Sequence, residues 1–420
     1  MRILLTNCPP DAAERIASDL VDRRLAACVN ALAISSTYRW EGAICRDPEV
    51  TLLIKVAEEA VAAAKARIVD LHPYDLPEIL VLPVDVGASL APYVGWVRGE
   101  ARGGERPDRQ RLADARARAV GFLAAHLRPD GSFGPDAPDL GAHYRAPAAL
   151  AAAGWAEGAQ RVLDHVARTW LGSEGCLRAA AGYDELWALS NAWFALAAQR
   201  VGRYELVGPV LRSLLRASDG GGFCVDEGGV AVTDLRATVS VGLTLLAAGR
   251  TERALAAGTW VADLVTAQDA DGELYLRRRG EVIIRDFEPG SSFLHVARVG
   301  QPRQPWLVVG HAIGFLVQLA RATGDRGLLE PAGRLMSLVR SEQSLLRDPT
   351  ACKVAWGAAL WAQDTGDAAA LAMAGRMAAW LVEAQAPDGG WAPGARLSDR
   401  LSRTADAATW LGELAGCAGD

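Results

Sequence analysis

Six short stretches put polar or charged residues at the head of segments that are otherwise apolar and helix-patterned. They are HYRAP (143–147), YDELWALSN (183–191), TDLRAT (233–238), RQPW (303–306), CKVAWG (352–357) and SRTADAATW (402–410). Carboxylates and amines in apolar surroundings are suited to acid–base work, because burial and neighbouring charge shift their proton affinities. Asp234, Asp406, Glu185 and Lys353 are therefore the candidate catalytic groups. Tyr144, Arg145, Trp187, Asn191, Arg236, Gln304, His311, Trp356 and Arg403 are the candidate substrate-binding residues. Among these, Lys353 and Arg145 would hold an anionic group, while Trp187 and Trp356 would shape a pocket.

Helical spacing groups the candidates. Tyr183, Trp187, Asn191 and Phe194 fall on one helix face; Asp234, Thr238 and Gly242 fall on another. Gln304 and His311 lie two turns apart, and Asp406, Trp410 and Glu413 form a further stripe. Each group also has a plainer use. Asp234, following Thr233, can cap a helix N-terminus. Asp406 can pair with Arg400 or Arg403, and Lys353 can sit in a satisfied buried ion pair. His311 can be a hydrogen-bonded core histidine, and the tryptophans can be packing.

The elements that must position these residues are helices. About twelve helical patterns follow residue 109: roughly 109–127, 145–153, 155–171, 183–201, 204–217, 233–248, 251–268, 304–323, 325–343, 350–364, 367–386 and 402–415. Glycine-bearing turns such as RVGRYEL and ATGDRG join them in pairs. A different punctuation recurs between pairs: RPDGSFG (128–134), ASDGGGF (217–223), QDADGELY (268–275) and QAPDGGW (385–391). The fifth junction, SEQSLLRDPT, lacks the motif. Six helical hairpins separated by such turns predict an all-α, closed (α/α)6 toroid over 109–420. Its inner helices would be those following each Asp-Gly turn, so the polar heads would converge on one rim.

Residues 1–97 alternate strand and helix signals. RILLT, EVTLLIKV and PEILVLPV read as strands; PDAAERIASDLVDRRL and AEEAVAAAKARIVDLH read as helices. The order predicts a ferredoxin-like α+β sandwich. LVDRRLAACVN (20–30), STYRWEGAI (36–44), LLIK (52–55) and LHPYDLPEILVLPV (71–84) together resemble the CutA, or divalent-cation tolerance, family. The resemblance implies a tight homotrimer, and a link to copper with Cys28 as the candidate ligand. Cys28 also reads as a small buried hydrophobe. Residues 98–108, RGEARGGERPD, read as a linker.

At QAPDGGW the second region resembles the repeats of terpene cyclases and protein prenyltransferases. That resemblance implies a toroid and raises two kinds of chemistry. A zinc site would draw on Cys352, Asp348 and His311, which have no compact ligand spacing. Cyclisation by alkene protonation would need a DxDD motif, and the sequence has neither that nor DDxxD.

Bulk composition narrows the rest. The chain has 420 residues, half of them hydrophobic, with a formal charge of −6. This gives no electrostatic footprint for nucleic acid. No apolar stretch reads as a membrane span and no signal-peptide core opens the chain. Seven cysteines without a CxxC pair fit a reducing cytoplasm. The expectation is an enzyme, trimeric through its first domain, acting on a small polar or amphipathic molecule by acid–base cyclisation, elimination or isomerisation. Two alternatives stand beside it: a six-hairpin carbohydrate-active enzyme, and a non-catalytic copper- or zinc-responsive binding protein.

Overall fold

The first hundred residues fold as β1 (Arg2–Cys8), α1 (Pro10–Asp22), β2 (Cys28–Trp40), β3 (Ala43–Val56), α2 (Val61–Leu71), β4 (Leu80–Pro83) and α3 (Ala91–Glu100). The structure is a computed structural model that describes residues 1–40, 42–101, 109–134, 140–178, 184–269, 272–342, 345 and 352–417. Two compact units divide the chain: residues 1–106 with 365–375, and residues 107–364 with 376–420.

In the first unit the sheet order is β2-β3-β1-β4 with antiparallel neighbours, the split βαβ arrangement. Alternation along β3 buries Leu52, Ile54 and Val56, while the helical stripe of α1 buries Ala13, Ile16 and Leu20. The β2–β3 ladder runs from Cys28↔Lys55 out to Trp40↔Ala43, whereas β1 pairs with β3 only over Val50–Val56. The outer part of this hairpin therefore has no neighbour on its β1 side. It leaves Leu32, Tyr38, Trp40 and Ile44 exposed, Ile44 at 66%. Helix α3 runs through Glu100, past the expected start of the linker; residues 102–108 lie outside the described residues.

The second unit is mostly helical. It contains α4 (Arg109–His126), α5 (Leu140–Ala152), α6 (Ala156–Trp170), α7 (Trp187–Arg200), α8 (Tyr204–Arg216), α9 (Leu235–Ala247), α10 (Thr251–Thr266), a single turn α11 (Ser292–His295), α12 (Trp306–Thr323), α13 (Leu329–Arg340), α14 (Cys352–Thr365), part of α15 (Ala368–Glu383) and α16 (Leu397–Cys417). Helix α5 packs on α6, α7 on α8, α9 on α10, α12 on α13 and α16 on α4. A second set of contacts links α16 to α5, α5 to α7, α7 to α9 and α9 to α12. Helices α12 and α14 approach closely enough that a Cβ on Gly310 would strike the backbone of Val354.

Short strands interrupt the helices: β5 (Ser218–Asp219), β6 (Gly222–Glu227), β7 (Val230–Asp234), β8 (Glu273–Tyr275), β9 (Arg277–Arg279), β10 (Val282–Ile283) and β11 (Val296–Arg298). They form a five-stranded sheet, β10-β9-β7-β6-β5, and the pair β11-β8. The cause is local. Gly228-Gly229, with φ of 62° and 86°, is a two-residue hairpin loop between strands of alternating pattern. Helix α12 also corrects the membrane reading: it is 18 residues long with mean hydropathy 1.3, enough by length and composition to cross a bilayer. It is 72% buried inside the unit, which accounts for its apolar sequence.

Two of the Asp-Gly turns share one construction, while that at 217–223 is a β-hairpin. In the turn at 128–132 Arg128 N–H donates to Ser132 O and Gly131 N–H to Arg128 O; at 386–390 Ala386 donates to Gly390 O and Gly389 to Ala386 O. Asp130 and Asp388 accept from the backbone two residues on. The N–H of the residue that follows such a turn is caught by a side chain of the next helix: Phe133 by His143 Nε2, Phe223 by Thr238 Oγ1 and Trp391 by Thr404 Oγ1. A further copy sits at 172–176 in LGSEGC, where Gly172, Gly175 and Cys176 repeat the backbone bonds and Leu177 N–H donates to Asn191 Oδ1.

Candidate functional site

Two groups of polar side chains in the second unit contain all four candidate catalytic residues. The first is built around Arg277, which is 1% exposed. The β7–β9 ladder places Asp234 opposite Arg277, so strand register itself brings the pair together. Arg277 donates from Nε to Asp234 Oδ2 at 2.9 Å and from Nη2 to Glu185. Its Nη1 lies 3.4 Å from Glu227 Oε1. Three carboxylates thus surround one guanidinium, whose own proton affinity burial would lower and Asp234 and Glu185 raise, with a net increase. Asp234 is also the N-cap of α9, accepting from Ala237 N–H at 3.0 Å.

Glu227 extends this group to a histidine. His295 Nε2 lies 2.5 Å from Glu227 Oε1, and His295 Nδ1 lies 3.0 Å from Ser291 O. The ring of Phe287 stacks on His295 at 4.5 Å. His295 is buried, whereas the side chains of Glu227 and Glu185 are 27% and 33% exposed. The group brings together a partly exposed carboxylate, an imidazole within hydrogen-bond reach and a guanidinium, and a carboxylate and imidazole so placed can exchange a proton.

The second group joins α14 and α16. Lys353 Nζ bonds both Asp406 oxygens at 3.0 and 2.9 Å, and Trp410 Nε1 donates to Asp406 Oδ1 at 3.1 Å. Burial pushes the Asp406 carboxyl up, but Lys353, Arg145 and the hydrogen bonds outweigh it and hold it below its usual range. Asp406 is consequently a carboxylate, suited to stabilising positive charge rather than to donating a proton. Arg145 donates to Gly141 O and Ser402 Oγ, and its guanidinium lies 4.3 Å from the buried Tyr144 ring.

Beside this pair is a cavity of about 90 Å³, walled by Trp193, Trp356, Trp410 and His311, with Arg200 and Glu413 also lining it. Arg200 and Glu413 pair at 2.8 Å. His311 lies 5.3 Å from the Trp410 ring and 6.1 Å from Trp356. Burial, then the charge of Lys353, lowers its pKa to about 3, so the ring is neutral near pH 7.

The remaining sequence candidates lie elsewhere. Asn191 spends its amide on Leu177 and Trp187 O, so it anchors the turn at 172–176 rather than a ligand. Gln304 precedes α12, pinned to Arg298 N–H and Pro302 O, and does not share a helix face with His311. Arg403 is exposed, and because α16 starts at Leu397, five residues before the expected 402, it lies within the helix and not at its head. Trp187 is half-buried at the first position of α7. Tyr183 and Asp348 lie outside the described residues. Cys28 in the first unit is half-buried, with Sγ 3.7 Å from Tyr93 Oη. Among the described residues no three His, Cys, Asp or Glu side chains converge as a metal ligand set.

Sequence reasoning missed Arg277, Glu227 and His295. Their signal was present in CVDEGGVAVTD, where alternation about a Gly-Gly pair marks a hairpin beside Asp234. In LYLRRRGEVII three consecutive arginines fall inside a β-patterned run, an expensive arrangement unless carboxylates await those that are buried.

Comparison with known proteins bears on the first unit. The family described as CutA1 divalent ion tolerance protein matches residues 2–100. The divalent-cation tolerance protein CutA of Thermus thermophilus is 41% identical over 97 residues, 23% of this chain and 92% of that protein. Protein CutA of Homo sapiens is 42% identical over 93 residues, 22% of this chain and 51% of its own length. The solved structure of the PII-like protein CutA from Nostoc, in apo form, shares 48% identity, covering 24% of this chain and 97% of that one, with a TM-score of 0.24. A chain spanning 92% of a relative at this identity shares its ancestry over that span: through residues 2–100 the protein belongs to the CutA1 divalent ion tolerance family.

Proposed function

We propose that the second unit is an enzyme that performs acid–base chemistry on a small polar molecule, and that the first unit assembles it into a trimer. The observation that carries the enzymatic reading is the His295–Glu227 pair at 2.5 Å, backed by buried Arg277. His295 and Glu227 would move a proton to and from the substrate, while Asp406, kept ionised by Lys353, would stabilise developing positive charge. Cyclisation, elimination and isomerisation are the reactions that need such a set and no redox partner.

A closed (α/α)6 toroid is the architecture we favour for this unit. Support comes from the cycle of neighbours α5, α7, α9, α12, α14, α16 and back to α5, in which α12 meets α14 at Gly310 and α14 meets α16 through Lys353 and Asp406. The candidate groups lie on these helices or on the strands leading into them. Trimerisation is favoured by the exposed apolar side chains of the β2–β3 hairpin, Leu32, Tyr38 and Trp40 on one face and Ile44 on the other, whose burial in a subunit interface would be stabilising.

Native mass spectrometry of purified protein tests both parts, reading assembly and any retained organic molecule together. Solvent deuterium wash-in to that molecule, or to a panel of small polar compounds, then tests proton transfer. The expected result is a trimer with wash-in that falls roughly 10²–10⁴-fold in His295→Gln. A trimer that retains no organic molecule and catalyses no exchange would overturn the enzymatic reading.

The name of the matched family favours a second reading, in which the first unit responds to a divalent cation. Its candidate contact is Cys28 beside Tyr93, and stoichiometric copper or zinc in the same spectra would support it.

A further inference from the structure

Arg236 is not used by the proton-transfer scheme, and its surroundings are unusual. It is the second residue of α9 and only 7% exposed, yet among the described residues neither Nε nor Nη2 meets a hydrogen-bond partner. These two N–H groups lie along one edge of the guanidinium, the edge that grips both oxygens of a carboxylate or phosphate at once. Arg277 provides the internal contrast. The same edge, Nε and Nη2, is filled there by Asp234 and Glu185.

The plain alternative is that Arg236 only balances nearby negative charge. Asp234, Glu185 and Glu227 together exceed the charge of Arg277, and a second cation two residues from Asp234 offsets the excess through space. That attraction does not satisfy directed N–H donors, and a buried charged donor left without an acceptor is strongly unfavourable. Burial also preorganises the group. The guanidinium carbon lies 5.7 Å from the ring of Phe293, which is itself 41% exposed. Both N–H groups are closed off from solvent, so a ligand must move covering atoms, such as the partly exposed Phe293 ring, to gain this charge-assisted bidentate contact.

We infer that Arg236 is the docking fork for an oxyanion group, carboxylate or phosphate, carried by the substrate. This deepens the reading of the second unit as a small-molecule enzyme and rests on it. The substrate would then be an acid or phosphate ester, fixed by its charged end at Arg236 while proton transfer occurs elsewhere on it.

Calorimetric titration of the full-length protein tests this with acetate, inorganic phosphate and chloride as probes at constant ionic strength. Wild type is expected to bind acetate or phosphate saturably and chloride not at all. Saturation by acetate alone identifies a carboxylate group, and saturation by phosphate alone a phosphate. Arg236→Lys, keeping charge but losing the fork, should weaken binding roughly tenfold. Arg236→Met should abolish it, with a thermal midpoint equal to or above wild type, because no internal bond is lost. Absence of saturable oxyanion binding in wild type would overturn the inference, as would unchanged affinity in Arg236→Met. A midpoint several degrees lower in Arg236→Met would overturn it too, by assigning the residue a structural partner. His295→Gln should keep the anion affinity, so failure of the proton-transfer scheme and failure of this site give different results.

Discussion

The first unit keeps most of its charges outside, Glu49 excepted, and some of its apolar surface outside with them, whereas the second unit takes several charges into its interior. Around Leu4, Ile16, Leu52, Ile54 and Ile68 the first unit buries hydrocarbon, and pairs such as Asp19–Arg67 lie at least partly in solvent. The second unit buries Asp234, Arg236, Arg277 and Lys353 to 7% exposure or less. Buried ions weaken a fold unless they are mutually satisfied, so their presence signals another use. Exposed tryptophan and isoleucine on a long hairpin likewise signal a surface meant to be covered. One unit exposes apolar surface, and the other holds charge inside it.

The contrast breaks most visibly at Arg277. Replacing it with methionine leaves three carboxylates without their cation, and denaturant unfolding of the second unit should register a loss of about 3–5 kcal/mol. A loss under about 1 kcal/mol would mean that the carboxylates are effectively solvated and the interior is not charged in the sense described. Lys353→Met should cost less, about 3 kcal/mol, because Asp406 is only half-buried. Converting the pair together, Lys353→Met with Asp406→Leu, should recover most of that loss; a double variant no better than the single one would contradict the pairing.

A third, smaller effect sharpens the comparison through pH. His311 has a folded pKa of about 3, against about 6.5 unfolded. Between those values the unfolded chain binds a proton that the folded one refuses, so stability falls as pH drops from 6.5 towards 3. The slope contributed is up to about 1.4 kcal/mol per pH unit. Stability measured against pH should flatten over that range in His311→Phe, and an unchanged slope would place the acid sensitivity elsewhere. The smallest effect belongs to the first unit. Asp19→Asn removes contacts to Arg67 and Arg23, and should cost under about 1 kcal/mol and vanish in high salt.

How much of this was legible depended on period. The stripe Ala13, Ile16, Leu20 and the alternation through Leu52, Ile54 and Val56 are periodic, and the sandwich followed from them. Helices after residue 109 were equally readable, as were the Asp-Gly turns. The turn at 172–176 was hidden because Glu174 and Leu177 stand where other copies carry aspartate and an aromatic, while the backbone bonds are the same. Candidate residues at the heads of helices were legible, and those further from them were opaque. Lys353, Asp406, Asp234 and Glu185 were found from polar heads on apolar segments, but Arg277, Glu227 and His295 come from strands and a single helical turn. Asn191 shows the opposite limit: a buried polar side chain on the right face can serve its own backbone. No periodic signal distinguishes that use from ligand binding.

The pairing of α4 with α16 has a consequence for how the molecule is made. Arg118 on α4 bonds Gln385, 267 residues later, just before α16 begins. The loop closed by this contact is long, so its entropy is lost before the contact returns anything. During synthesis α4 leaves the ribosome with an apolar stripe of Leu112, Ala115, Ala119 and Phe122 and waits for nearly the whole of the second unit to follow. The unit is therefore completed only once α16 has been made. Until then its first helix is the exposed surface on which chaperones or unwanted partners act.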